Sequence, residues 1–84
     1  MSHWFMYVVR ARDGSLYCGI TTDLYRRIIE HNETNVGAKC LRGKRPVHLV
    51  YAQWAPSKSE ALKMEAHFKT WSKQQKEDFL AKYA

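Results

Sequence analysis

The sequence predicts a small α+β domain over residues 1–84: a three-stranded, mostly antiparallel sheet flanked by helices, in the order β-β-α-β-α-α. Three observations predict it. Trp4–Arg10 and Leu16–Ile20 are rich in β-branched and aromatic residues and are joined through Asp13-Gly14, a strong hairpin signal. Later stretches space their apolar residues as helices do, each opened by a side chain suited to capping. Finally, 84 residues suffice for one core, and a sheet with helices packed on it, in two layers, is the natural way to bury that core.

The first strand is centred on Tyr7 and the second on Tyr17, and the turn decides whether the two share a face. A two-residue Asp13-Gly14 loop pairs Arg12 with Ser15 and separates the tyrosines. A three-residue loop, Arg12-Asp13-Gly14, pairs Ala11 with Ser15 and brings them to one face. The second type takes glycine at its third, left-handed position, where Gly14 stands, so it is the one expected. A helix then begins at Thr22-Asp23, with Thr22 as cap and Asp23 at the positive end of the dipole. Its stripe is Leu24, Ile28 and Ile29, and it frays near Asn32 to Asn35. Residues 34–45 read as a loop that Pro46 ends, and Val47–Ala52 as the third strand. Pro56-Ser57 opens the next helix through a Ser57/Glu60 capping box, with Leu62 and Phe68 on its buried face. Ser72 and Gln75 repeat the box for the last helix, striped by Phe79, Leu80 and Tyr83.

Fourteen Lys and Arg against eight Asp and Glu give a net charge of +6, which favours polyanions, nucleic acid first and an anionic membrane second. No apolar run approaches the roughly 20 residues that cross a bilayer. The start, Met1-Ser2-His3-Trp4, lacks the pattern of a secretory signal. Cys18 and Cys40 form no CxxC pair and read as reduced thiols of a cytoplasmic protein. His3, His31, His48, His67 and the two cysteines match no zinc spacing, so no structural zinc is expected.

Some positions point to a site. Gly19 follows Tyr17 by two residues, on the same face, and glycine within a strand lets a ligand or another backbone come close. Arg27 and His31 share one side of the first helix, bordering its apolar stripe, while Arg26 and Glu30 form another row. Glu65 lies three after Leu62 and three before Phe68, on the buried side. A carboxylate there needs a partner: either a salt bridge at the core edge, or a hard metal, since one carboxylate with waters and substrate phosphate is a common way to hold Mg²⁺. Lys39, Arg42, Lys44 and Arg45 put four cations in seven residues, a solvated loop or a phosphate clamp, and Gly37 and Gly43 let that loop follow an irregular surface.

Taken together, these residues resemble the GIY-YIG nuclease superfamily. Its first signature stands as Met6-Tyr7-Val8 and its second as Tyr17-Cys18-Gly19. Arg27 fits the catalytic arginine of the first helix, His31 the histidine or tyrosine one turn on, and Glu65 the metal-binding glutamate of the later helix. The match runs from residue 4 to about 70. The string from Gly19 through Asp23-Leu24, Arg26-Arg27 and His31-Asn32 to Gly37-Ala38-Lys39 is similar to a branch of very small bacterial proteins with little beyond this domain. Phe5 and Met6 replace the first glycine and isoleucine, and Cys18 the second isoleucine. Ile20 stands where some members have lysine, and no asparagine follows Asn35, so Lys69 or Lys73 is the available substitute.

The resemblance implies a metal-dependent endonuclease that hydrolyses phosphodiester bonds, using one Mg²⁺ or Mn²⁺ held by Glu65. Arg27 would counter the transition-state charge, Tyr17 would act as general base with Tyr7 as its partner, and His31 would relay the proton. Gly19, Arg26, Lys39, Arg42, Lys44, Arg45 and Lys69 would line the nucleic acid, DNA more than RNA. The best-known members add separate DNA-binding domains. This chain is expected to rely on its basic surface and on Tyr25, Trp54 or Trp71, giving preference for strand type or structure in a repair or recombination role. The alternative is a non-catalytic nucleic-acid-binding module that keeps the fold.

Overall fold

The hairpin follows the three-residue loop. In the computed structural model, which describes residues 3–83 and so leaves the Met1-Ser2 start outside the described residues, β1 (Trp4–Arg10) pairs antiparallel with β2 (Leu16–Thr21), Tyr7 opposite Gly19 and Val9 opposite Tyr17. The Ala11 N–H donates to the Ser15 carbonyl at 2.8 Å, and the Gly14 N–H to the Ala11 carbonyl at 2.9 Å. Gly14 has φ 86°, the left-handed value that makes glycine the fitting residue there. Both tyrosines therefore stand on one face.

The third strand, β3 (His48–Ala55), joins the other side of β1, giving the order β2-β1-β3. It starts one residue later than the sequence indicated and runs three further. Asn32 explains the late start: its side chain accepts from the Val47 N–H at 2.7 Å and donates to the Val47 carbonyl at 3.1 Å, holding Val47 outside the ladder. Val8 pairs with Tyr51 and Val9 with Leu49, so Val50 is the extra residue of a bulge.

Helices cover both faces, so the sheet is the middle of three layers rather than one of two. Met6 to Val9 are buried without a break, the mark of a strand covered on both sides. On one face, α1 (Leu24–Glu33) and a 3-10 helix (Lys39–Lys44) close over Tyr7, Val9, Ala11, Leu41 and Val47. On the other, α2 (Lys58–Lys69) and α3 (Lys73–Ala81) close over Met6, Val8, Cys18, Phe68 and Leu80. The expected 34–45 loop is thus partly coiled, because Leu41, 2 % exposed, plugs the first core amid its charged neighbours.

The caps differ in detail from expectation. Asp23, not Thr22, caps α1, accepting from the Arg26 N–H at 3.0 Å. Ser57 caps α2 by accepting from the Glu60 N–H at 3.2 Å, but the Glu60 carboxylate turns to Lys63, so the box is half formed. The Ser72/Gln75 box of α3 is complete. Leu62 is 43 % exposed, and Ala61 takes the place expected for it on the buried side of α2 with Phe68. On α3 Leu80 is buried, whereas Tyr83 lies past the helix end and is exposed. A cluster fastens α3 to the hairpin: Arg10 holds Glu77 through two bonds of 2.6 and 2.8 Å, and Lys73 bridges Glu77 and the Gly14 carbonyl.

Candidate active site

The site grows from β1. Tyr7, 1 % exposed, projects between the sheet and α1, and its hydroxyl lies over Gly19 of β2. A Cβ on Gly19 would stand 2.6 Å from that oxygen, so the glycine makes room for the hydroxyl. The oxygen meets His31 Nε2 at 2.7 Å and accepts from Arg27 Nε at 3.3 Å. Tyr17 packs against both rings, its centroid 6.4 Å from Tyr7 and 5.5 Å from His31. Its hydroxyl has no hydrogen-bond partner among the described residues and remains available to an incoming group.

Proton counting fixes the roles inside this cluster. The Ala38 N–H donates to His31 Nδ1 at 3.1 Å, so Nδ1 carries no proton. The neutral ring then holds its proton on Nε2 and donates it to Tyr7. With His31 and Arg27 both donating to its oxygen, Tyr7 must direct its own proton to a third acceptor. Burial pushes the Tyr7 hydroxyl up to about 12, against the opposing pull of Arg27. Burial, aided by the positive Arg27, drops His31 to about 4. A ring held neutral and bonded at both nitrogens orients Tyr7.

Gly37 makes that lock possible. A Cβ there would meet the Glu30 carbonyl and the His31 Cα at 2.6 Å, so only glycine lets this segment lie on α1 and bring Ala38 within reach. Gly37 and Ala38 were missed as parts of the site: the two-glycine loop signalled pliancy, while the ring nitrogen that the Ala38 amide meets is not visible in the chain.

His31 gives a pH prediction. Its folded value, about 4, lies below the reference 6.5, so the unfolded chain takes up a proton that the fold refuses. Stability therefore falls as pH drops from about 6.5 towards about 4, by up to ~1.4 kcal/mol per unit. Glu77 acts in a lower window: Arg10 and then Lys73 hold its carboxyl at about 2, so its contribution is present above the reference 4.5 and is lost as pH falls from there towards about 2. Urea midpoints measured between pH 7 and 4.5 should decline in the native chain and stay flatter in His31→Phe; equal slopes would remove His31 as the cause.

Arg27 is only partly exposed and already oriented. Its Nη1 donates to Glu30 at 3.0 Å and to the Val36 carbonyl at 3.2 Å, leaving Nη2 for a ligand. Arg26 is more exposed and reaches Glu30 at 3.7 Å. The cations of residues 39–45 divide. Arg45 donates to the His31 carbonyl at 2.7 Å and to the Thr34 carbonyl, satisfying the end of α1. Arg42 donates to the Asn35 carbonyl and Lys44 pairs with Asp13, while Lys39 is exposed without an ion pair among the described residues. Arg12 joins this patch, donating to the Gly43 carbonyl at 3.1 Å. A lone arginine in a turn gave no reason to include it.

Glu65 stands apart. Its helix packs on the opposite face, and its carboxylate, 19 % exposed, has Lys69 at 3.7 Å. It also contributes to raising the buried Cys18 thiol, which burial drives to about 12. Cys18 sits between Tyr17 and Gly19 on the edge strand β2. The structure thus unites Tyr7, Tyr17, Arg27 and His31, while Glu65 stands on the helix of the other face and makes no hydrogen bond or ion pair with them among the described residues. Of the aromatics expected to stack on bases, Tyr25 and Trp54 are exposed, whereas Trp71 packs into the second core.

This fold and cluster agree with the sequence comparison. The profile of the GIY-YIG catalytic domain matches residues 3–78, and the chain belongs to the GIY-YIG family, a nuclease-type domain. Within it, the relatives are UPF0213 proteins. One from Vibrio cholerae serotype O1 is 51 % identical over 81 residues, covering 95 % of this chain and 79 % of that protein. One from Streptococcus pneumoniae is 51 % identical over 77 residues, covering 92 % and 77 %. The solution structure of a UPF0213 protein from Bacillus halodurans aligns with TM-score 0.60 at 39 % identity over 94 % of this chain and 83 % of that one. A protein from E. faecalis aligns with TM-score 0.64 at 38 % identity over 99 % and 88 %.

Proposed function

We propose that this chain is an endonuclease that hydrolyses nucleic-acid phosphodiester bonds with one Mg²⁺ or Mn²⁺, acting on DNA more than RNA, selecting strand type or structure, and serving repair or recombination in the cytoplasm. The observation that carries the reading is the pre-oriented Arg27, bonded to Tyr7 within a cluster that leaves the Tyr17 hydroxyl unengaged. Among the described residues no helix is long and apolar enough to cross a membrane, and neither cysteine is in a disulfide.

A phosphodiester laid over the edge of β2 would meet the tyrosine cluster from one side and Glu65 from the other. Arg27 Nη2 binds a phosphate oxygen and counters the charge added in the transition state. Tyr17 passes its own proton to a phosphate oxygen as it takes the proton of the attacking water. Tyr7, fixed by His31 and Arg27, offers its proton to an oxygen of the phosphate. The Glu65 carboxylate, with a single long contact to Lys69, suits an oxygen-seeking divalent ion that keeps most of its waters. Bound there, the ion would supply Lewis-acid stabilisation of the leaving oxygen. Arg26, Lys39, Arg42, Lys44 and Arg12 guide the backbone, with Lys69 beside the carboxylate.

Incubation with single-stranded, duplex and branched DNA, with and without Mn²⁺, tests the reading. Metal-dependent products should appear and be lost in Glu65→Ala and Tyr17→Phe. Full cleavage by either variant would remove that residue from the chemistry. The second reading, a binding module without turnover, is favoured by the absence of any hydrogen bond or ion pair between Glu65 and the cluster among the described residues. Binding without products from any substrate would establish it.

A further inference from the structure

The outer edge of β3 is built unlike the rest of the surface. His48–Ala55 is the longest strand and holds no Lys, Arg, Asp, Glu or Pro, the residues that normally blunt a sheet edge. The backbone groups facing away from β1 make no backbone hydrogen bond among the described residues. Leu49 and Trp54 are 42 % and 52 % exposed. Both stand on the tyrosine face, opposite Val9 and Phe5, beyond the cover of α1.

We propose that β3 pairs antiparallel with β3 of a second copy of this chain, making a six-stranded sheet across a two-fold axis. Charge selects a copy of itself as the occupant. Elsewhere the +6 chain presents cations to its twin, whereas this strand brings no like charges together. The bulge at Val50 selects the register. Tyr51–Ala55 is the regular stretch, and centring the axis on Gln53 sets Ala52 opposite the other copy's Trp54, and Tyr51 opposite its Ala55. Each pair then lies on one face, and the large indole meets the smallest neighbour. A two-fold perpendicular to the sheet leaves both tyrosine clusters facing the same way. Strands spaced by about 4.8 Å separate the two β2 edges by roughly 24 Å. On the nuclease reading above, one molecule would present two cutting sites to one substrate.

Sedimentation velocity of the full chain over a hundredfold concentration range tests the pairing without reference to cleavage. The native protein should move to twice the monomer mass as concentration rises, and Ala52→Lys should stay monomeric with an unchanged circular dichroism spectrum. Gln53→Cys in a Cys40→Ser background should be joined into a covalent pair by a short bis-maleimide at least tenfold faster than Arg12→Cys in the same background. A native chain that remains monomeric throughout, or cross-linking of Gln53→Cys no faster than the Arg12→Cys control, overturns the proposal. Dimers that survive Ala52→Lys would place the interface elsewhere and overturn it equally.

Discussion

Gly19→Ala should cost about 100-fold in cleavage and about 1–3 kcal/mol in stability. The added methyl group would stand 2.6 Å from the Tyr7 oxygen and 2.8 Å from its Cζ. Tyr7 cannot swing away, because its ring is 1 % exposed and pinned by two hydrogen bonds. Either the hydroxyl leaves His31 and Arg27, or β2 shifts and carries Tyr17 with it. Both outcomes disturb groups whose spacing the reaction needs, and a displacement near 1 Å is enough for a loss of that order. Gly43→Ala is the matching control. Nothing lies within 4 Å of the Cβ it would add, and Gly14 alone has positive φ, so activity and urea midpoint should stay at native values. Chemical denaturation and initial cleavage rates on the same preparations decide the matter. Native activity in Gly19→Ala would show that the Tyr7 hydroxyl is not needed where it now sits.

How far the site was legible depended on whether its cause was local. Gly14 at the third turn position fixed the hairpin register, and from that register Tyr7, Tyr17 and Gly19 fell on one face by alternation alone. Helical spacing put Arg27 and His31 on one side of α1. What the chain does not show are partners distant in sequence. Arg45 reads like its cationic neighbours, and only the fold shows that it also donates to the carbonyls that end α1. The spacing on α1 does not show that the amide of Ala38, brought in by Gly37, meets His31 Nδ1. Spacing from Leu62 and Phe68 reads Glu65 as lying on the buried side of its helix, where its carboxylate is 19 % exposed, but spacing within a helix does not say which sheet face that helix covers. The unbroken apolar run Met6–Val9 carried the missing information, since it calls for a cover on each face and so for helices on opposite sides. Leu62 failed for a related reason: in a helix packed closely on a sheet, the small Ala61 fits the seam and the larger leucine is turned out.

Arg27→Lys should lower kcat by about 10² to 10³ with little change in KM. The guanidinium uses Nε for Tyr7 and Nη1 for Glu30 and the Val36 carbonyl, which leaves Nη2 to face the phosphate. One planar group thus fixes the tyrosine, joins α1 to the segment after it and meets the substrate. A lysine ammonium keeps the charge but cannot span these directions from one nitrogen. If lysine goes to Glu30, Tyr7 loses a donor and the phosphate loses its counter-charge. If it turns to the phosphate, the Val36 carbonyl and Tyr7 are released. The fold should survive, since Arg27 remains a quarter exposed and Arg45 still ties off α1. Binding to a non-cleavable phosphorothioate strand separates the two possible defects. Nearly native affinity with the expected fall in kcat assigns Arg27 to the transition state. An equal loss of affinity and rate would make it a ground-state anchor, and a fully active Arg27→Lys would show that the charge, not the fork, is what the site requires.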